Sequence, residues 1–229
     1  MKTDKIVIFG SSGHAKVIVD VVESNSSLKL LGFIDRPELV GSEVLGYKVI
    51  GSESSLPELM DRLGFSKGII GIGDNSTRRL VATRIQEIAP TFEFTNCIHK
   101  SANISRHCEI GHGNVIMPGV SINASSIVSN HCILNTHSSL DHDSLMEPYS
   151  SLGPNAATGG NCSIGELSHI GIGASILQRV SIGRNCIIGA GSLVNKDTKN
   201  DSVYYGSPAI FISKRKAGDQ YLKSPHGTN

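Results

Sequence analysis

The chain has 229 residues, enough for one large domain or two modest ones, each able to bury a core. A formal net charge of +1 and a pI near 7.7 argue against nucleic acid or an anionic membrane as partner, and although 39% of residues are hydrophobic, no run approaches the roughly 18 apolar residues of a membrane span. Five cysteines, an odd number without CxxC or CxxH spacing, suit a reducing compartment better than a disulfide framework or a zinc site.

Met1 to Asp4 leads straight into the strand-like run Lys5 to Phe9, which leaves no room for a signal peptide and gives a cytoplasmic expectation. That strand enters Gly10-Ser11-Ser12-Gly13-His14, and a helix follows with Ala15, Ile18, Val21 and Val22 on one face. A second strand, Leu28 to Ile34, ends at Asp35-Arg36-Pro37, and a third, Gly68 to Ile72, ends at Gly73-Asp74-Asn75. Ser76 or Thr77 is expected to cap the next helix, which turns Val81, Ile85, Ile88 and Ala89 inward. Strands alternating with helices predict a small Rossmann-like parallel sheet over 1–94. The glycine loop lacks the third glycine of GxGxxG, so a dinucleotide is not indicated. A Gly-Ser-Ser-Gly turn at a helix N-terminus still offers free N–H groups to a phosphate. The plain alternative is a tight strand-to-helix turn that binds nothing.

From residue 95 a different rule governs the chain. Stepping by six from Ile98 to Val194 visits seventeen positions, of which all but Thr158 are apolar. Four residues after these aliphatics come mostly small residues, among them Cys108, Cys132, Cys162 and Cys186, so these cysteines read as packing residues. A six-residue period with one large and one small inward position predicts a three-sided parallel β-helix over 95–200, 18 residues to a coil. Glycine just after the aliphatic, as in Ile164-Gly165 and Ile170-Gly171, is expected at corners that need unusual dihedrals. The remaining residues, 201–229, read as a C-terminal tail, polar and aperiodic after Lys216 and expected to be mobile.

Among nine histidines, His107, His131 and His137 share one corner position and read as structural or solvated. His142 stands apart, flanked by Asp141 and Asp143. An imidazole titrates near neutrality and can take a proton from an attacking nucleophile, while a neighbouring carboxylate fixes its tautomer and raises its basicity. Either aspartate could serve, since neighbours along a strand point opposite ways.

The motif GSSGHAKVIVDVV, a strand ending in an acidic residue, an IGIGDN turn and the hexapeptide array together resemble the bacillosamine- and perosamine-pathway sugar N-acetyltransferases. These belong to a wider group that includes sialic-acid O-acetyltransferases. The resemblance implies a left-handed winding and acetyl-CoA-dependent acylation of the 4-amino group of a UDP- or GDP-linked amino-deoxy sugar for surface glycans. It implies a homotrimer with active sites between chains, and no metal. It carries Ser12, Gly13, His14, Asp35, Arg36 and Gly73 over as nucleotide-sugar contacts, and Asn135 as a substrate-binding, hydrogen-bonding residue near His142. His142 becomes the general base and Asp143 its carboxylate, while Ser151, Gly160 and Ala190 fall at the acetyl-CoA positions. The bacillosamine-type pattern has histidine where this chain has Ser151 and a second acid where it has Arg36.

Three other readings compete. A γ-type carbonic anhydrase would use His137 and His142 as zinc ligands, but its third histidine would fall at position 101, which is serine. A non-enzymatic β-helix scaffold would have no need of His142. O-acetylation of a sialic acid would use the same base on a hydroxyl.

Overall fold

A computed structural model describes residues 3–216 together with 218, 219 and 221. The first unit is a six-stranded sheet built from β1 (Asp4–Phe9), β2 (Leu28–Ile34), β3 (Glu43–Val44), β4 (Tyr47–Gly51), β5 (Lys67–Ile70) and β6 (Glu93–Phe94). Its order is β3-β4-β2-β1-β5-β6, parallel except for the β3–β4 hairpin. Central β1 buries Ile6 to Phe9 completely, as expected of a strand covered on both faces. Helix α1 (Gly13–Glu23) inserts Ala15, Ile18, Val19, Val21 and Val22 into a core that is continuous with the β-helix.

The β3–β4 hairpin and helix α2 (Leu56–Leu63), closed by left-handed Gly64 at φ 64°, fill the stretch between the second and third predicted strands. Helix α3 (Asn75–Ile88) is capped by Asp74, whose carboxylate accepts the Thr77 N–H at 2.8 Å, and not by Ser76 or Thr77. Ile88, expected inside, is 39% exposed, and the inner face carries Arg78 and Ala82 in addition to Val81 and Ile85.

Seventeen two-residue strands, from Cys97–Ile98 to Leu193–Val194, then wind in three parallel stacks. Each but the last three pairs with the strand 18 residues on, as in Ile116↔Leu134, Ile122↔Leu140 and Val128↔Met146. Every aliphatic position from Ile116 onward is buried, Thr158 included, whereas Ile98, Ile104 and Ile110 of the first coil are only partly covered. The same end effect leaves Cys108 half-buried, so it is not the enclosed packing residue expected, while Cys132, Cys162 and Cys186 are buried.

The small inward position also carries hydrogen bonds from coil to coil. Ser168 Oγ donates to Gly183 O at 2.6 Å and accepts the Cys186 N–H at 2.7 Å, and the Cys162 thiol donates to Leu177 O at 3.1 Å. Each bond satisfies a buried polar group that the two-residue strands leave over.

The corners overturn the expectation for glycine. Left-handed dihedrals fall three residues after the aliphatic, at His131, His137, Asp143, Asn155, Asn161 and Asn185, with φ between 52° and 58°. Gly165 and Gly171, directly after their aliphatics, do not have positive φ. They are glycine because a Cβ would lie 2.6 Å from the backbone of the next coil, at Arg184 N and Ala190 N respectively.

Residues 202–214 form an antiparallel hairpin, Ser202–Gly206 with Ala209–Lys214, that pairs with Ile187–Ile188 and closes the array where a tail was expected. Asp219 and Tyr221 are anchored, through Lys216 N to Asp219 Oδ2 at 2.7 Å and Tyr221 Oη to Gly73 O at 3.1 Å. The rest of the stretch expected to be mobile (217, 220 and 222–229) lies outside the described residues. Among the described residues no helix is long and apolar enough to cross a membrane.

Arg78 locks the two units together. Its guanidinium is fully buried and donates to Ile72 O at 3.2 Å and Gly73 O at 3.0 Å on the sheet side, and to His131 O at 2.9 Å and Tyr149 O at 3.0 Å on the β-helix side. Asn75 accepts a fifth bond at 2.7 Å and reaches Leu167 O and Ser168 O at 3.1 Å. A buried cation is tolerable only when its donors are satisfied, and carbonyls from both units do that here.

Candidate active site

His142 sits on the corner after Ser139–Leu140, with its imidazole about half exposed. The left-handed turn at Asp143 (φ 57°) swings that carboxylate back, and Oδ2 lies 2.7 Å from His142 Nδ1. Asp141, the rival, is engaged elsewhere: its Oδ1 accepts the His142 backbone N–H at 2.8 Å and Asn123 Nδ2 at 2.6 Å. These bonds also hold the Asp141 carboxyl below its ordinary range. The hydrogen bond to Asp143, with both carboxylates nearby, raises the His142 pKa above its usual 6.5. With Nδ1–H committed to Asp143, Nε2 is left as the basic nitrogen.

Gly160 lies one coil further along, against this ring. A Cβ there would stand 2.5 Å from His142 Cε1 and Nε2, so only glycine leaves space for the imidazole. The Gly160 carbonyl accepts Arg179 N–H at 2.9 Å, while its own N–H takes no partner among the described residues. His142, Asp143 and Gly160 are thus brought together.

The glycine loop is held by the end of β2. Asp35 Oδ2 accepts both Ser11 N–H at 2.7 Å and Ser11 Oγ–H at 2.5 Å, and Oδ1 accepts Arg36 N–H at 2.8 Å. A cavity of about 390 Å³ opens beside them, walled by Gly10, Ile34, Asp35, Arg36, Ser52 and Arg84. Ser12 and Gly13 lie exposed at the start of α1, where helix N–H groups point outward. Sequence reasoning missed the far wall, which comes from Ser52 to Ser54 and from Arg84, paired with Glu53 at 2.8 Å. No motif marks that segment.

A second, smaller cavity of about 230 Å³ lies between the units. His14 and Gly73 reach it from the sheet, and Asn135, Ser151 and His169 from the β-helix. His14 Nε2 is buried without a partner, and burial beside Arg78 pushes its pKa down to about 4, so the ring is neutral. Ser151 Oγ lies 2.8 Å from His169 Nδ1, and burial lowers the His169 pKa to about 4 as well. Ala190 is exposed on a separate groove of about 890 Å³ that runs along Gly171, Gly189 and Tyr205.

The predicted residues therefore fall into two groups, with Ala190 apart from both on its own groove. His14, Gly73, Asn135 and Ser151 converge on one cavity, beside the loop of Ser12, Gly13, Asp35 and Arg36. His142, Asp143 and Gly160 lie one corner away, with the whole Ser139–Leu140 face between them and Asn135. His169 was not singled out from the sequence. Its only signal is that it stands 18 residues after Ser151, hence directly beneath it. Among the described residues no three His, Cys, Asp or Glu side chains converge as metal donors.

Comparison with known proteins gives this geometry a setting. Residues 5–85 match the family described as PglD N-terminal domain, and residues 161–196 match the bacterial transferase hexapeptide repeats. The crystal structure of PerB from Caulobacter crescentus, in complex with CoA and GDP-perosamine, is 33% identical and superposes with a TM-score of 0.85 over 91% of this chain and 97% of that one. The chain belongs to the bacillosamine and perosamine N-acetyltransferase family. The acetyltransferase domain of PglB from Neisseria gonorrhoeae FA1090, also solved with acetyl coenzyme A, is 27% identical with a TM-score of 0.83 over 92% of this chain and 100% of that one. The UDP-N-acetylbacillosamine N-acetyltransferase of Bacillus subtilis (strain 168) is 33% identical over 112 residues, 49% of this chain and 50% of that protein. The chain spans half or less of the length of the curated relatives it matches. Family membership brings the left-handed winding of the β-helix with it.

Proposed function

We propose that the chain is an acetyl-CoA-dependent N-acetyltransferase that acylates the 4-amino group of a nucleotide-linked amino-deoxy sugar. The observation that carries this reading is the His142–Asp143 pair at 2.7 Å, with Nε2 beside the Gly160 backbone, in a chain whose fold follows PerB over 91% of its length. As the sugar nitrogen attacks the thioester carbon, His142 Nε2 takes a proton from it. The Gly160 N–H faces the charge that gathers on the carbonyl oxygen. The C–S bond then breaks, and the imidazolium returns its proton to the leaving thiolate, so charge balances over the cycle. Asp143 holds the imidazole in the required tautomer and stabilises its cationic form.

The acceptor cavity and His142 lie on different corners of one prism, so a single chain does not bring nucleophile and base together. We assign the missing half of each site to a neighbouring copy in a homotrimer, working in the cytoplasm. We place the thioester donor where Gly160 of one copy faces the groove of Ala190 on its neighbour, and the nucleotide in the cavity beside Asp35 and Arg36; Ser151, buried beside His14 in the smaller cavity, lines the acceptor instead.

The decisive assay offers UDP-, GDP- and CMP-linked sugars with acetyl-CoA and reads thiol release. A 4-amino sugar on UDP or GDP should be acetylated. His142→Ala should then lower kcat by roughly 10²–10⁴ with the acetyl-CoA KM little changed. Turnover confined to a CMP-linked sialic acid, or undiminished in His142→Ala, would sink the reading.

A further inference from the structure

Beyond the hairpin the chain folds back toward the sheet. Arg215 N–H donates to Asp201 O at 2.8 Å, and the Arg215 guanidinium donates to Asp219 O at 2.6 Å. Asp219 in turn accepts the Lys216 N–H, which makes a compact turn. From that turn Tyr221 enters the space between the two units. Its ring stacks on His169, with centroids 4.5 Å apart and planes 22° from parallel, and the Arg215 guanidinium carbon lies 5.9 Å from the ring centroid. Its hydroxyl donates to Gly73 O at 3.1 Å, a carbonyl that Arg78 also holds.

Tyr221 therefore contributes a wall to the cavity that contains His14, Gly73, Asn135 and Ser151. His14 lines that cavity, and its Nε2 is buried and unpartnered. A buried nitrogen with no partner is costly unless a ligand completes it. Asn135 Nδ2 is committed to Leu152 O at 3.0 Å, which leaves its carbonyl oxygen to accept a hydrogen bond from a ligand. Ile133, Pro154 and Ile172 supply apolar surface beside these polar groups. A few placed polar atoms on an apolar wall are what a small ring with hydroxyl and amino substituents needs.

We infer that Tyr221 is a substrate-positioning residue, which closes the acceptor-sugar cavity against the nucleotide-binding unit and sets the space the pyranose occupies. This inference rests on the acetyltransferase reading above. The ring presses the sugar toward His14 and Asn135, while the hydroxyl ties that wall to the loop that begins at Gly73.

Calorimetric titration with GDP-perosamine and with a UDP-linked 4-amino sugar tests the inference on the wild type, Tyr221→Phe and Tyr221→Ala. Tyr221→Ala should weaken the better of the two by roughly tenfold, and Tyr221→Phe, which keeps the stack and loses the bond to Gly73, by a few-fold only. Steady-state kinetics should show the acceptor KM rising in the same order, with the acetyl-CoA KM moving less than about twofold. Equal changes in both KM values would mean a merely structural role and overturn the inference. If the wild type binds a sugar and Tyr221→Ala binds it as tightly, the inference alone fails. Wild type that binds neither sugar overturns the acetyltransferase reading and this inference with it.

Discussion

His142 shows how much a single backbone dihedral decides. Along an ordinary strand Asp141 and Asp143 would be equivalent neighbours pointing away from the imidazole. The left-handed φ of 57° at Asp143 breaks that symmetry and delivers one carboxylate to Nδ1, while Asp141 turns to the backbone and Asn123. The base must be neutral to act, so the rate should climb as pH rises through the His142 pKa, with an ascending limb above the usual 6.5. Asp143→Asn removes the anion that stabilises imidazolium, so the limb should move to lower pH. Its plateau should also fall, by less than in His142→Ala, because the ring remains. A pH–rate profile of kcat/KM from pH 5 to 9 checks the sign; a limb that moves upward would show that Asp143 does not raise the imidazole pKa. Resemblance had named Asp143, but the residue pattern alone left the aspartates equal, because their rank depends on a turn conformation that Asn155 and Asn161 adopt equally.

At the scale of an element, the hexapeptide is a division of labour among glycines and polar turn residues. Glycine after the aliphatic serves stacking, and the residue three places after it serves the left-handed turn. Gly165→Ala should destabilise by about 1–3 kcal/mol, because its Cβ meets backbone that cannot yield. Gly173, at φ 65°, has open space around it, and Asn already occupies the equivalent place at 155, 161 and 185. Gly173→Asn should therefore shift stability by no more than about 0.5 kcal/mol. Equilibrium denaturation of the two variants separates the roles, and equal losses would contradict the assignment. The period of six was plain in the sequence. Which glycine answered to sterics and which to dihedral angle was not, since both read as glycine near a corner.

At the scale of the whole molecule, the separation of the two residue groups is the leading feature. Arg78 fixes the sheet unit against the corner of His131 and Tyr149, and His142 faces away across an intervening face. A trimer in which each acceptor cavity meets a neighbour's His142 makes a definite prediction. His142→Ala and Asp35→Ala should each be inactive alone. Unfolded together and refolded as mixed trimers, they should regain activity at about a quarter of the sites, since each site then needs one intact half from each chain. Sedimentation equilibrium should show a trimer throughout. Inactive mixed trimers would confine the site to one chain, and a monomer at micromolar concentration would remove the assembly altogether.

Some of this was settled before any coordinates, because periodicity is a local property. A large residue every six places, with a small one four places later, calls for a three-sided parallel coil, though not for the hand of its winding. The strand ends and the glycine loop follow from hydrophobic runs and turn residues. His142 stood out for the same reason, since its acidic neighbours are adjacent in the chain. What depends on residues far apart could not be read that way. Arg78 lies on a helix of ordinary amphipathic character, and only the carbonyls 53 and 71 residues later make its burial possible. His169 matters because it stacks beneath Ser151, and Tyr221 because a turn at Asp219 returns it to Gly73, 148 residues away. Local pattern determined the repeat and marked His142 as the candidate base; the long-range hydrogen bonds of the tertiary structure alone decided which side chains enclose the cavity.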